Sequence, residues 1–487
     1  MTMRRRLPRI AGPLVAALAL AGCSLVPDFA RPYIPMPEAW KDAPPPAASQ
    51  PVQPVSWPST DWWRGFGSPP LDTLIATAER NNYDLGAAAA RVLQADAQAR
   101  IAGAPLLPAL DGGAGASRSW ARSSGSSSSS SSRSGAIITT SLSANLSASY
   151  QLDLFGANRA ALEAAEASAL FSRFDRETVA LTVVSSVANT YFQTVQFRDR
   201  LRVARRNLAN ALEVLQVVQA RVDAGAASAL DLAQQQTIVA QQRAAIPPLE
   251  TQLRQSENAL AILIGAAPAA TTIGGNSIMG IAPPAVAPGL PSALLARRPD
   301  IQSAEAQLVS ANAQIGVARA AFFPTISLTA ETGYASASLG SLFHPASALS
   351  SVASSLVQPI FEGGRLEGGL DLAKGRYAEL VANYRKAVIS AFADVESALV
   401  AVQRTAEQET LQAQAVQQAR LAYSLAETRY RAGAVDLLTV LDAQRTLFAA
   451  EDQLVQVRLA RLQAAVAMFK ALGGGWQASD IKKTPTP

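Results

Sequence analysis

The 487-residue chain has one cysteine, Cys23, and one histidine, His344, which excludes disulfide frameworks, zinc sites and most His-based catalysis. Charge is sparse too: Asp, Glu, Lys and Arg make up 16% of residues and the net charge is +5. Four arginines sit in the first 22 residues without an acid, so a processed chain carries about +1 (5 − 4), and nothing marks a nucleic-acid surface. No stretch after the N-terminus reaches the ~18 consecutive apolar residues of a membrane helix. No P-loop is present, and GGAGAS at 112–117 lacks both the spacing and the strand–helix context of a dinucleotide site. His344, followed by Pro345 in a Ser/Ala stretch, reads as a surface-loop residue. We therefore expect no catalytic, cofactor or metal residues, and energy for any transport must come from a partner.

What the chain does have is alanine, glutamine and 49% hydrophobic residues, a bias suited to long helices packed through small side chains. Arg297–Gly333 is the organising stretch. Pro299 and Asp300 open a helix; Ala304, Leu308, Ala311, Ile315 and Ala318 follow at helical spacing. Pro324 bounds the helix. From Thr325 the period becomes two, with Ile326, Leu328 and Ala330 opposite Ser327, Thr329 and Glu331. At an offset of 216, Asp84, Ala88, Ala90, Ala95, Ala97, Gln98, Ala102, Ala104 and Pro108 match their partners. The chain is a tandem duplication.

Residues 1–22 read as a targeting segment: a basic run at Arg4, Arg5, Arg6 and Arg9, then apolar Ile10–Gly22, too short to span a bilayer. It ends in Leu20-Ala21-Gly22-Cys23, which resembles a bacterial lipobox. That resemblance implies cleavage before Cys23 and a lipid on it, N-acyl and S-diacylglycerol; more than one chain anchors stably. Ser24 in place of Asp implies sorting to the outer membrane.

Residues 23–70 are expected to form an extended, Pro-rich arm pinned by Trp57, Trp62, Trp63 and Phe66. The first repeat covers 71–265: a helix from about Asp72 to Gly103, strands at about 108–120 and 137–154, and a helical hairpin with its tip near Gly225. Ser126–Ser132 form a low-complexity loop between the strands. The second strand alternates most clearly, Ile138, Leu142, Leu146 and Leu152 against Ser141, Asn145, Ser147 and Gln151. Beside a lipid anchor this reads as lipid-facing against lumen-facing. A proline-free helix of about 65 residues, from 158 to 222, measures roughly 100 Å. It turns at Asp223-Ala224-Gly225 and returns over about 228–264, where Pro247-Pro248 must kink or end it. A linker occupies 266–296. The second repeat covers 297–472, with strands at about 325–335 and 349–361, a long helix to Arg431 and a tip near Gly433; 473–487 is a tail. Helices before the strands and after the tip together match the long helix in length, so each repeat is an elongated hairpin carrying two strands.

Four strands of membrane-spanning length cannot close a barrel, and single-chain barrels start at ~8 strands. Open edges in hydrocarbon are untenable, so other copies must supply strands: two chains give eight, three give twelve. DWWRGFGSPPLDTLI, RRPDIQSAEAQLVSANAQIGVARAAFFPTI, QPIFEGGRLEGGL, RYRAGAVDLLTVLDAQR and LGGGW resemble the TolC-like outer-membrane factors, nearest the lipoprotein NodT branch that serves resistance-nodulation-division efflux pumps. The resemblance covers essentially the whole mature chain. It implies a mainly α homotrimer, in which a 12-stranded outer-membrane β-barrel continues into a periplasmic α-helical barrel. It implies an exit duct for small molecules such as drugs, working with a periplasmic adaptor and an inner-membrane pump. It places Leu438 and Asp442 at the narrowest periplasmic point, where three carboxylates would meet. Arg445 lies one turn on, and Arg429, Arg431 and Arg445 are expected to pair with Asp436 or nearby acids in the closed state. Gly225, Ser228, Gly433 and Asp436 mark the tips where an adaptor would dock. On residue types alone, Leu438 and Asp442 read rather as a coiled-coil seam leucine and a solvated aspartate; the motif match reverses that reading. A type I protein-secretion duct is the alternative within transport. A lipid-anchored coiled-coil spacer is the alternative outside it, opposed by the four alternating strands.

Overall fold

A computed structural model describes residues 24–37, 39–41, 58–122, 136–270, 273–275, 277–286 and 291–477. Cys23, Trp57 and the Ser126–Ser132 run lie outside them. Seven helices longer than one turn frame these residues: α1 (Pro69–Asn81), α2 (Tyr83–Gly103), α3 (Ala157–Asp223), α4 (Ala229–Leu263), α5 (Pro299–Ala320), α6 (Arg365–Arg431) and α7 (Leu437–Ala471). Four strands complete the set: β1 (Ala109–Arg122), β2 (Ala136–Leu152), β3 (Thr325–Ser336) and β4 (Ala348–Val357).

The duplication survives to the residue. Both long helices have 67 residues and both returning helices have 35. The offset is 216 between the starts of α2 and α5 (Tyr83, Pro299) but 208 between those of α3 and α6 (Ala157, Arg365). The difference falls between the strands, where the serine run sits. Asn82 donates through Nδ2 to the Leu263 carbonyl at the end of α4, and its counterpart Arg298 donates to the Ala471 carbonyl at the end of α7. Gly265 and Gly473 also correspond: each has positive φ, and a Cβ on either would collide with a backbone carbonyl oxygen, of Asn81 or Arg297. Different side chains thus hold one geometry in both halves.

One sequence expectation needs correction and a second is narrowed. The single helix expected from Asp72 to Gly103 is two, α1 and α2, broken at Asn82. Asn82 is buried, and its Oδ1 accepts from the amides of Asp84 and Leu85, capping α2 where the chain changes direction. Pro247-Pro248 do not end α4, which is helical on both sides of them. The carbonyls they leave without donors belong to Arg243 and Ala244, both exposed residues, so water can serve them.

The chain divides into two compact units, each drawing on both repeats. One comprises residues 1–32, 93–170 and 305–382 and holds the sheet. Its strands are ordered β1-β2-β3-β4, all antiparallel, with β1 and β4 as edges. The register puts Leu110, Trp120, Ile138, Leu146, Leu328, Val352 and Leu356 on one face, all exposed. Ser117, Ser143, Asn145, Ser147, Thr329 and Ser355 share the other. An uncovered apolar face of this size requires a non-aqueous neighbour. In the same unit the arm runs antiparallel along α5: the carbonyls of Leu25 and Pro27 accept from Arg319 and Asn312, and Arg31 pairs with Glu305 at 2.7 Å. Val26 packs against Gly316 so closely that a Cβ there would overlap it.

The second unit, residues 33–92, 171–304 and 383–487, holds the main core. Trp62 stacks on Phe469 with centroids 4.8 Å apart, and Phe66 packs on Phe192 at 5.1 Å. These aromatics and their aliphatic neighbours bury the start of α1 against α3 and α7. Glu409 of α6 pairs with both Arg458 and Arg461 of α7 at 2.6 Å, and Arg458 Nη2 also donates to the Ile281 carbonyl, tying the linker down.

Candidate functional site

The ends of both helical hairpins meet within the second unit. Glycine makes each turn possible: Gly225 and Gly433 have φ of 69° and 75°, a left-handed backbone that other residues adopt at a cost. Around Gly225 the amides of Gly225 and Ala226 donate to the Val222 and Arg221 carbonyls; around Gly433 those of Gly433 and Ala434 donate to Tyr430 and Arg429. Both long helices therefore close in the same C-terminal motif. The returning helices start on matched caps. Ser228 accepts from the Asp231 amide while Asp231 accepts from the Ser228 amide, a reciprocal capping box. Asp436 accepts from both the amide and the hydroxyl of Thr439, bonds that hold its pKa below the ordinary aspartate value.

An apolar core joins the tips: Val214 and Val218 of α3, Ile238 of α4, Tyr430 at the end of α6, and Leu437, Val440 and Leu441 of α7. Leu438 is not part of it. It is 59% exposed and shares a recess of about 600 Å³ with Asp436, Thr439 and Asp442 along the α6–α7 groove. Leu438 and Asp442 thus stand together on one face of α7, as their four-residue spacing requires. Arg445 points elsewhere, into a recess of about 460 Å³ that also holds Arg200, Asn207 and Asp452. Within the chain Arg431 pairs with Glu427 at 2.6 Å, and the Asp436 carboxylate is taken up by its cap. Tyr423 nearby is pushed up to about 12, by burial first and then by Glu427 and Glu213.

Sequence reasoning missed the group that fastens one tip to the other. Arg221, in the last turn of α3, donates through Nη1 to the Tyr430 carbonyl at 3.0 Å, and its guanidinium lies 4.5 Å from the Tyr430 ring centroid. The available signal was the match of RVDAG to RYRAG, which places an arginine at the same point of each repeat.

A bare membrane-type sheet and two hairpins, each with a 67-residue helix and a 35-residue return, define a TolC-like outer-membrane channel protein. Residues 74–266 and 290–474 match the outer membrane efflux protein family. Among curated relatives, the pyoverdine export outer membrane protein OpmQ of Pseudomonas putida is 44% identical, over 97% of this chain and 98% of its own. The cation efflux system protein CusC of Escherichia coli is 35% identical, over 96% and 98%. The open state of the Neisseria gonorrhoeae MtrE outer membrane channel superposes with a TM-score of 0.82 at 30% identity, covering 93% of this chain and 98% of that one. The chain belongs to the outer membrane efflux protein family. It is an outer-membrane efflux channel protein.

Proposed function

We propose that three copies close around a common axis, pooling their four-stranded sheets into one 12-stranded barrel and their hairpins into a helical tube. This duct passively conducts small molecules handed over by a periplasmic adaptor and an inner-membrane pump of the resistance-nodulation-division type. The observation that carries the reading is the sheet: its apolar face is exposed along all four strands and both edges are unpaired, so one chain supplies a segment of a wall. The N-terminal arm fits a lipid on Cys23, because Leu25 is held beside Arg319, near the end of α5 that leads into β3. OpmQ, at 44% identity, is named for pyoverdine export, which makes pyoverdine the first solute to assay.

The tips act as the gate. Leu438 and Asp442 narrow the mouth, Arg445 lies one turn further along α7 in a separate recess, and an adaptor docks over Gly225, Ser228, Gly433 and Asp436. The shared recess of Leu438 and Asp442, one turn apart on the same face of α7, supports this placement. Purified protein is expected to run as a trimer by native mass measurement and to show small, closed-state conductance in planar bilayers. Replacing Leu438 and Asp442 together by alanine is expected to raise that conductance several-fold. A monomer without conductance sinks the duct; a trimer whose conductance ignores the double replacement sinks only the gate.

A further inference from the structure

Residues 337–347 join β3 to β4 at the end of the sheet remote from the helices, since α5 enters β3 and α6 leaves β4 at the other end. In an outer-membrane channel whose helices extend into the periplasm, this loop faces the exterior. It belongs to the same compact unit as the sheet. Two contacts set its direction. The Phe343 ring packs edge-on against Tyr334, centroids 5.6 Å apart. The Ser341 and Ser336 hydroxyls share a hydrogen bond of 2.6 Å, and the Ser338 amide donates to the Ser336 hydroxyl. Tyr334 and Ser336 pair with Ala144 and Leu142 in unbroken register, which puts both on the apolar face with Leu328. Thr329, Glu331 and Gly333 lie on the opposite, polar face. The loop is therefore folded over the apolar side of the wall.

Its composition suits that side. From Thr332 to Phe361 the chain has no Asp, Glu, Lys or Arg. The apolar side chains are divided: Leu342 is 6% exposed and pins the loop down, while Leu339 and Phe343 are 73% and 69% exposed. The backbone bonds close internally. The amides of Ser341, Leu342, His344 and Ser347 donate to the carbonyls of Ser338, Leu339, Ser341 and His344, and the Ser347 hydroxyl donates to the Ser341 carbonyl. A loop satisfied in this way enters a poorly hydrating medium at little cost.

The height agrees as well. Ile326 to Tyr334 is about 26 Å along the strand at ~3.3 Å per residue, or about 20 Å along the membrane normal at ~40° tilt. An apolar band of ~25 Å that starts at Ile326 ends roughly at the level of this loop. Trp120, 69% exposed, lies on the same face at the same end of β1.

We propose that the β3–β4 loop is a membrane foot: Leu339 and Phe343 seat in the boundary between acyl chains and headgroups of the outer leaflet, and the loop leaves the outer mouth uncovered. This rests on the barrel proposed above and adds where one of its loops sits. The exposed pair continues the lipid-facing wall of the sheet, which selects lipid as its occupant over a soluble protein. Three such feet around the rim set the depth at which the barrel rides.

Nitroxide labels on Phe343→Cys and Leu339→Cys test this in the full-length protein in phosphatidylcholine–phosphatidylglycerol liposomes. Val352→Cys, mid-band on the apolar face, and Thr329→Cys, on the polar face, are the references; the parent, with Cys23 alone, is the blank. Power saturation with oxygen and with a water-soluble nickel chelate reads the medium around each label. The oxygen-to-nickel accessibility ratio at 339 and 343 is expected at least threefold above that at 329 and below that at 352. Where the two loop labels disagree, the one at 339 decides, because it leaves the Phe343–Tyr334 contact in place. A ratio equal to that at 329 puts the loop in water or across the mouth and overturns the proposal. So does a label shielded from both reagents, the mark of a neighbouring copy seated on the loop. A label at 352 that itself reads aqueous overturns the barrel reading on which the proposal rests.

Discussion

Removing the Arg221 side chain tests the tip directly. Arg221→Ala deletes a charged donor to the Tyr430 carbonyl, worth about 1.5–3 kcal/mol as a hydrogen bond of an ionised group. It also deletes a cation–aromatic contact worth about 0.5–1 kcal/mol at a partly exposed site. The Tyr430 carbonyl keeps the Gly433 amide as a partner, so no orphan acceptor is added to the loss. Together the change lowers the free energy of parting the two tips by roughly 2–4 kcal/mol, a factor of roughly 30 to 700 at about 1.4 kcal/mol per decade. Hydrogen exchange of the last turn of α3 and the first turn of α7 reads this opening, and is expected to quicken by that factor while the 458–469 core stays protected. Arg429→Ala, at the equivalent point of the second repeat, is expected to change exchange less than threefold. Equal acceleration by the two replacements, or none by Arg221→Ala, refutes the assignment of the fastening to Arg221.

Three further outcomes follow from other contacts. Asn82→Ala removes the α2 cap and the donor to Leu263, and is expected to cost about 2 kcal/mol, read as a lowered denaturant midpoint. Glu409→Gln strands Arg458 in a site where both side chains are 11% exposed; the expected loss is about 3–5 kcal/mol in the same measurement, with the 278–281 segment opening first. The Asp436 carboxylate, depressed by its bonds to Thr439, stabilises the start of α7 fully above pH 3.8, and that contribution fades as pH falls through its lower folded value. Exchange at α7 is therefore expected to quicken below pH 3.8 in the parent but not in Asp436→Asn, whose amide oxygen accepts at every pH.

Much of the fold is legible because its physics is local. Period-two alternation from Ile138 onward marks β2, and the glycines at 225 and 433 mark turns that need a left-handed backbone. The break at Asn82 is harder to read for a simple reason. Its counterpart in the second repeat is announced by Pro299, but the first repeat has Tyr83 there, and only the tertiary bond to Leu263 shows that the chain turns. The prolines of α4 leave an end or a kink open in the sequence; on an exposed helix face water can serve the carbonyls they leave without donors, and the helix does not end there. The candidate gate residues were found through spacing and resemblance, and the structure brings Leu438 and Asp442 into one recess but sends Arg445 to another. Arg221 escaped because its partner lies 209 positions away, a distance over which no periodicity speaks.

The equality of the long helices, 67 residues each, makes them a matched pair of rulers. A residue added to one alone would push its glycine turn ahead of the other by about 1.5 Å and rotate it by roughly 100°, unpicking every cross-hairpin contact at once. Length in this part of the molecule can therefore change only in step, through paired insertions in both halves. The loop between β1 and β2, outside that constraint, is where the two halves have been free to differ by eight residues (216 − 208).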